Sequence, residues 1–139
     1  VSFDPVVLKT RLETEEGRRS HIYTDTVGKV TGGIGRNLSD VGFSDDEIDL
    51  MLRNDVKRAV EFLNTHFTWW ASLDDVRQSV LVDMAFNMGA SLLEFHATLA
   101  AIQNSNWHAA HDGMLNSTWA HQVGRRAQYL AQVMLTGKF

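Results

Sequence analysis

The chain contains no cysteine. That excludes a disulfide framework, a thiolate metal site and a cysteine nucleophile. It has one proline, Pro5, close to its start. No later proline breaks a helix, which fits a helix-dominated protein. No apolar run approaches the roughly 18 residues expected of a transmembrane helix, so no membrane insertion is expected. Positive charge is not in surplus. The 13 Lys and Arg face 17 Asp and Glu, for a net charge of −4 and a pI near 5.8. That argues against a general nucleic-acid partner. The N-terminus, Val1-Ser2-Phe3-Asp4-Pro5, has no basic segment followed by an apolar one, so it does not read as a signal peptide. It also lacks Met, which fits a processed chain or a piece of a longer protein.

What is present is a globular composition: 139 residues, 44% hydrophobic and 22% charged. A chain of this length buries roughly 68% of its unfolded surface, enough for one domain or two small lobes without a staple. The charge is uneven. Residues 1–39 carry six basic and five acidic side chains, residues 40–75 three and nine, and residues 76–139 four and three. The acidity therefore belongs to one segment.

Punctuation predicts helices with one β-like island. Asp4-Pro5 reads as the N-cap and first residue of a helix over about 4–16, stopped by Gly17. From Ile22 to Ile34, β-formers (Tyr23, Thr24, Thr26, Val27, Val30, Thr31) alternate with glycines, as in strands joined by tight turns. Ser44-Asp45-Asp46-Glu47 is a capping box opening an amphipathic helix of about 45–64. Ser72 opens a well-buried helix that ends at Gly89. Ser91-Leu92-Leu93-Glu94 reads as a second capping box, for a helix to about Gln103. Ser105 caps a helix to about Leu115, and Ser117 or Thr118 starts a short one. A last helix runs from about Gly124 to Thr136. The reading is a single 1–139 domain of α+β, mainly helical class. It has a small β lobe (about 17–43), a connecting helix (about 45–64) and a helical lobe (about 70–139).

Chemistry concentrates where the first helix meets the β island. Glu16 ends the helix, Asp25 follows nine residues later, and Thr31 leads into Gly32-Gly33-Ile34-Gly35. Glycoside hydrolysis needs two carboxylates in unequal environments, one donating a proton and the other staying ionised. The negative end of a helix dipole favours a protonated carboxyl beside it. Asp25 sits in a polar, Thr-rich turn that suits an ionised carboxylate. A hydroxyl such as Thr31 could hold a water. Spacing alone is weak evidence, since two acids and a Thr within so short a stretch are common by chance. The glycines form no phosphate-cradling loop, for no G-x-x-x-x-G-K-[ST] is present.

The colinear pattern is far more specific. Glu16-Gly17, Ile22-Tyr23-Thr24-Asp25-Thr26-Val27-Gly28 and Thr31-Gly32-Gly33-Ile34-Gly35 together resemble the E-x8-D-x5-T signature of the phage T4-type lysozymes, glycoside hydrolase family 24. Ser72-Leu73-Asp74-Asp75-Val76-Arg77 and Phe86-Asn87-Met88-Gly89 are similar to that family's central helix. Trp107, Trp119, Arg126-Ala127 and Thr136-Gly137 stand at matching places, so the resemblance covers nearly the whole chain.

The resemblance implies a lysozyme-like two-lobed fold with a small β-hairpin lobe. It also implies an inverting peptidoglycan muramidase that cleaves the β-1,4 bond between N-acetylmuramic acid and N-acetylglucosamine without a cofactor. Glu16 then matches the general acid, Asp25 the carboxylate that activates water, and Thr31 the hydroxyl that orients it. Inversion predicts carboxyls roughly 6.5–9.5 Å apart. Arg126 matches an arginine that pairs with the acid. Phe86, Asn87 and Thr98 match positions lining the saccharide cleft, although Phe86 reads equally well as core. The expected partner is peptidoglycan and the expected state a monomer. The expected location is the host cytoplasm before release to the wall, or a virion as part of a larger phage protein. Two rivals stand beside this reading: a lytic transglycosylase, and a non-catalytic wall-binding or virion structural module.

Two departures from the family stand out. Arg36 occupies the place of a histidine that makes a structural ion pair. The stretch from Asn37 to Phe43 is short, so the β lobe is expected to lack a small helix and a strand. Among other features, His108 and His111 with Asp112 lack a third ligand and read as exposed helix residues, so no metal is expected. Trp69-Trp70 reads as packing rather than a sugar platform. Met51, Met84, Met88, Met114 and Met134 read as core.

Overall fold

A computed structural model describes residues 2–139. The chain divides into two compact units, one ending at Leu50 and the other running Met51–Phe139, with the division inside a long helix.

The first unit opens with α1 (Pro5–Glu16). Asp4 caps it, its Oδ1 accepting from the N–H groups of Val6 (2.9 Å) and Val7 (3.2 Å). Gly17 at φ +78° stops it. A three-stranded antiparallel sheet follows in the order β1 (Arg19–Thr24), β2 (Val30–Gly33) and β3 (Arg36–Asn37). Tyr23 pairs with Thr31, and Thr31 with Asn37. Strand β1 begins at Arg19, before the β-formers begin. Arg19 pairs with Gly33 across the hairpin, and its guanidinium lies 4.6 Å from the Tyr23 ring centroid.

The expected loss of a small helix and a strand is corrected here. Strand β3 is present, and Asn37 caps a one-turn helix α2 (Leu38–Val41) by accepting from the Asp40 N–H at 3.1 Å. One side-chain cap suffices to close so short a turn, and composition does not reveal it.

Helix α3 (Asp45–His66) carries the acidic run in its first turn, where the helix dipole favours negative charge. The capping box is half formed. Glu47 Oε1 accepts from the Ser44 N–H at 2.8 Å, but the Ser44 hydroxyl turns to the carboxylates of Asp46 and Glu47. Of its apolar residues, Ala59 and Leu63 are buried, while Ile48, Leu52 and Val56 are exposed.

In the second unit, α4 (Asp75–Met88) buries Val80, Leu81, Met84 and Ala85. Its N-cap is Asp74, which accepts from the Arg77 N–H at 2.9 Å. Ser72 instead closes a 3-10 turn over Trp70–Ser72. The predicted helix from Ser91 is also corrected. Residues Gly89–Glu94 form a 3-10 segment in which the Ser91 hydroxyl donates back to Met88 O, and α5 starts only at His96–Gln103. Asn106, not Ser105, caps α6 (Trp107–Leu115); Ser105 takes a left-handed turn at φ +58°. Ser117 caps α7 (Thr118–Val123), and α8 (Arg125–Thr136) closes the chain.

The core of this unit is built from Leu63, Leu81, Met84, Leu92, Ile102, Met114, Val133 and Met134, all essentially inaccessible. Each such side chain contributes roughly 1.5–3 kcal/mol on burial. Trp70 is buried, and its Nε1 donates to Asn64 Oδ1 at 2.8 Å; Trp69 packs on Phe67. Arg77 staples the unit. It donates through Nε to Met134 O (2.7 Å) and through Nη2 to Leu135 O (3.1 Å), and its guanidinium lies 3.8 Å from the Trp107 ring centroid.

Candidate functional site

The candidate catalytic residues Glu16, Asp25 and Thr31 all fall in the first unit. Glu16 is the last residue of α1 and is exposed. Its carboxylate lies against Gly35: a Cβ built there would stand 2.5 Å from Glu16 Oε2 and 2.9 Å from Cδ. Gly35 also has φ +67°. The last glycine of the motif is thus needed twice, for its backbone and for the space beside the acid. Gly32 is tight for a different reason, a Cβ there meeting Leu38 at 3.3 Å and Ile22 at 3.5 Å.

Asp25 and Thr31 are held by one turn. The β1–β2 turn closes with Asp25 N–H donating to Lys29 O at 2.8 Å. Asp25 Oδ1 accepts from the N–H groups of Val27 (3.0 Å) and Lys29 (2.8 Å). The Thr31 hydroxyl donates to the same Lys29 carbonyl at 3.1 Å. Thr31 is only 5% exposed, one of two buried polar residues of the chain's described part. The turn therefore fixes the Asp25 carboxylate through one oxygen and leaves Oδ2 outside these bonds. The Thr31 hydroxyl spends its proton on Lys29 O and keeps lone pairs to accept with.

Arg36, whose partner the sequence does not name, pairs with Glu47 at 2.5 Å and donates to Gly42 O at 3.3 Å. The Arg36 guanidinium and the Ser44 hydroxyl and N–H hold the Glu47 carboxyl down to about 2. The same pairing raises the Arg36 pKa.

The candidate substrate residues fall in the second unit. Asn87, at the end of α4, lines a groove of about 790 Å³ together with Thr98 of α5 and Trp119 of α7. Trp119 Nε1 donates to Asn87 Oδ1 at 2.8 Å, which leaves the Asn87 amide N–H groups as donors. Thr98 is 5% exposed and packs on Gly113, where a Cβ would lie 2.2 Å from its hydroxyl oxygen. Phe86 is 43% exposed and so is not core. It lines a second groove of about 440 Å³ with Asp55, Arg58 and Phe62.

Arg126, at the start of α8, donates through Nε (2.9 Å) and Nη2 (2.5 Å) to Asp83 Oδ1 on α4. Sequence reading did not name Asp83. Its one signal is that it is the single charged residue in the stretch from Val80 to Met88. Among the described residues no cluster of three or more His, Asp or Glu could hold a metal ion, and no helix is long and apolar enough to cross a membrane. His111 Nδ1 meets Asp112 Oδ1 at 2.8 Å on the α6 surface.

Comparison with known proteins places this arrangement. The sequence profile of the family described as "Phage lysozyme" matches residues 13–132, a span that includes every candidate residue. The chain is 27% identical over 160 aligned positions to "Probable T4-type lysozyme 1" of Dictyostelium discoideum, and 28% identical over 160 to "Probable T4-type lysozyme 2" of the same organism. Each alignment covers 94% of this chain and 94% of the relative. It is also 24% identical over 155 positions to the pre-baseplate central spike protein of Enterobacteria phage T4, covering 91% of this chain but 27% of that one.

Proposed function

Since the chain belongs to the phage lysozyme family, we propose that it is a peptidoglycan muramidase that cleaves the β-1,4 bond between N-acetylmuramic acid and N-acetylglucosamine with inversion. The family relation supports a muramidase-like hydrolase. The finer reading rests on the site. Glu16 donates a proton to the leaving glycosidic oxygen. Asp25 takes a proton from the attacking water, and Thr31 accepts a hydrogen bond from that water and orients it. The bond to the leaving oxygen breaks as the water oxygen bonds to the anomeric carbon from the opposite face. Phe86, Asn87 and Thr98 bind the saccharide, and no cofactor takes part.

The observation that carries this is the bonding of the β1–β2 turn. The Val27 and Lys29 N–H groups hold the Asp25 carboxylate, and the Lys29 carbonyl accepts the Thr31 hydroxyl hydrogen bond. A carboxylate fixed through one oxygen beside a hydroxyl left free to accept is suited to positioning one water. A lytic transglycosylase needs no such water and gives a 1,6-anhydro product, one water lighter. The test is mass analysis of products from purified peptidoglycan. Wild type should give hydrated reducing ends, and Asp25→Asn should lose on the order of 10²–10⁴ in rate, the size of a general base. Anhydro products, or an active Asp25→Asn, contradict the reading.

Delivery follows one of two routes. The chain acts as a free lysozyme released to the wall from the host cytoplasm, or as part of a larger virion protein, as the match to the spike protein suggests. As an isolated domain it works as a monomer on peptidoglycan.

A further inference from the structure

The 790 Å³ groove of the helical unit has a built polar floor and a one-sided charge. Thr98, only 5% exposed, lines it. Asn87 lines the same groove with its amide N–H groups left as donors, because Trp119 holds its oxygen. On the rim stands Glu94, the last residue of the 3-10 segment. It is the one carboxylate lining the groove, and no lysine or arginine lines it. Glu94 forms no ion pair among the described residues, whereas Asp74 and Asp83 of the same unit each face an arginine. A groove with a lone carboxylate and no cation attracts ammonium groups and repels the carboxylates in which wall polymers abound.

Resting on the hydrolase reading above, we propose that Glu94 is a specificity residue that pairs with a primary ammonium of the wall polymer, so that the enzyme favours strands whose amines are free. Peptidoglycan offers that ammonium from two sources. One is the side chain of the diamino residue in the stem peptide, where cross-linking converts the amine to an amide. The other is a glucosamine that has lost its acetyl group. In both, acylation removes the charge and with it the partner of Glu94. His96, also on the rim, is the one other titratable group lining the groove.

The experiment compares kcat/KM on peptidoglycan before and after acetylation of its amines with acetic anhydride, at constant pH and low ionic strength. Wild type should lose roughly 3–5-fold on acetylation, the size of a single exposed ion pair. The loss should fall on KM rather than kcat, and should shrink toward nothing in 0.5 M salt, as screening requires. Glu94→Gln should cleave both preparations equally, and His96→Gln should keep the wild-type preference. A fully N-acetylated glycan with free peptide amines, and a peptide-stripped, partly de-N-acetylated glycan, separate the two sources of the amine. Equal cleavage of both preparations by wild type, or an undiminished preference in Glu94→Gln, overturns the assignment to Glu94. Absence of cleavage by wild type on every preparation overturns the hydrolase reading, and this inference with it.

Discussion

Replacing Gly35 by alanine separates backbone strain from displacement of the acid. The added Cβ would lie 2.5 Å from Glu16 Oε2 and 3.0 Å from Cγ. That is about 1 Å inside ordinary contact. Because the carboxylate ends a flexible, exposed side chain, it can rotate away, so the clash itself costs little stability. The backbone cost is separate: alanine at φ +67° costs about 1–2 kcal/mol. With an unfolding entropy near 2.1 cal/mol/K per residue, that lowers Tm by about 3–7 °C for this chain length. A proton donor moved by about 1 Å should lose on the order of 10²-fold in rate. Gly33→Ala is the control. Gly33 sits at φ +62° with nothing within 4 Å of the added Cβ, so it carries the same strain without touching Glu16. Thermal unfolding by circular dichroism and clearing of outer-membrane-stripped bacteria measure the two effects. Both variants should lose similar stability, and only Gly35→Ala should lose the larger factor in activity. Equal activity in the two variants refutes the placement of the acid against Gly35.

Two further substitutions test the frame around the site. In folded protein the Glu47 carboxyl stands at about 2, below its unfolded value of about 4.3. Its pairing with Arg36 therefore stabilises fully above pH 4.3 and is lost as pH falls toward 2. Glu47→Gln should lower Tm at pH 7 and flatten the Tm–pH curve between roughly pH 4.5 and 2; an unchanged slope contradicts the pairing. Arg77→Met removes the charge-assisted bonds to the Met134 and Leu135 carbonyls and the Trp107 contact. It should cost about 2–4 kcal/mol in urea unfolding, with Arg77→Lys intermediate; a loss below about 1 kcal/mol would show that those carbonyls find other partners.

Much of this was legible in sequence because its causes are local. Asp4-Pro5, Gly17, Gly89 and Gly137 delimit helices by their own backbone preferences. The run from Tyr23 to Thr31 marks the hairpin by propensity. The order of Glu16, Asp25 and Thr31 carried the chemical expectation, and the matched family supports the coarser part of it. What escaped depends on choices among similar neighbours or on distant contacts. Ser72 and Asp74 are both competent caps, and only the tight turn at Trp70–Ser72 decides for Asp74. Ser91 had the spacing of a capping box, but its hydroxyl found Met88 O first. Phe86 reads on helical periodicity as core as readily as it matches a cleft position, and its exposure on the last turn of α4 removes the core alternative. Gly35 against Glu16, Arg36 with Glu47, and Arg126 with Asp83 join residues distant in sequence, and no periodicity announces such pairs.

The most direct test of the account is clearing of outer-membrane-stripped bacteria by wild type and by Glu16→Gln, matched for folding by circular dichroism. The account predicts lysis by wild type and a loss on the order of 10²–10⁴ in the variant, the contribution of a general acid. Equal lysis by both proteins would contradict the site, and lysis by neither would favour a wall-binding module without catalysis.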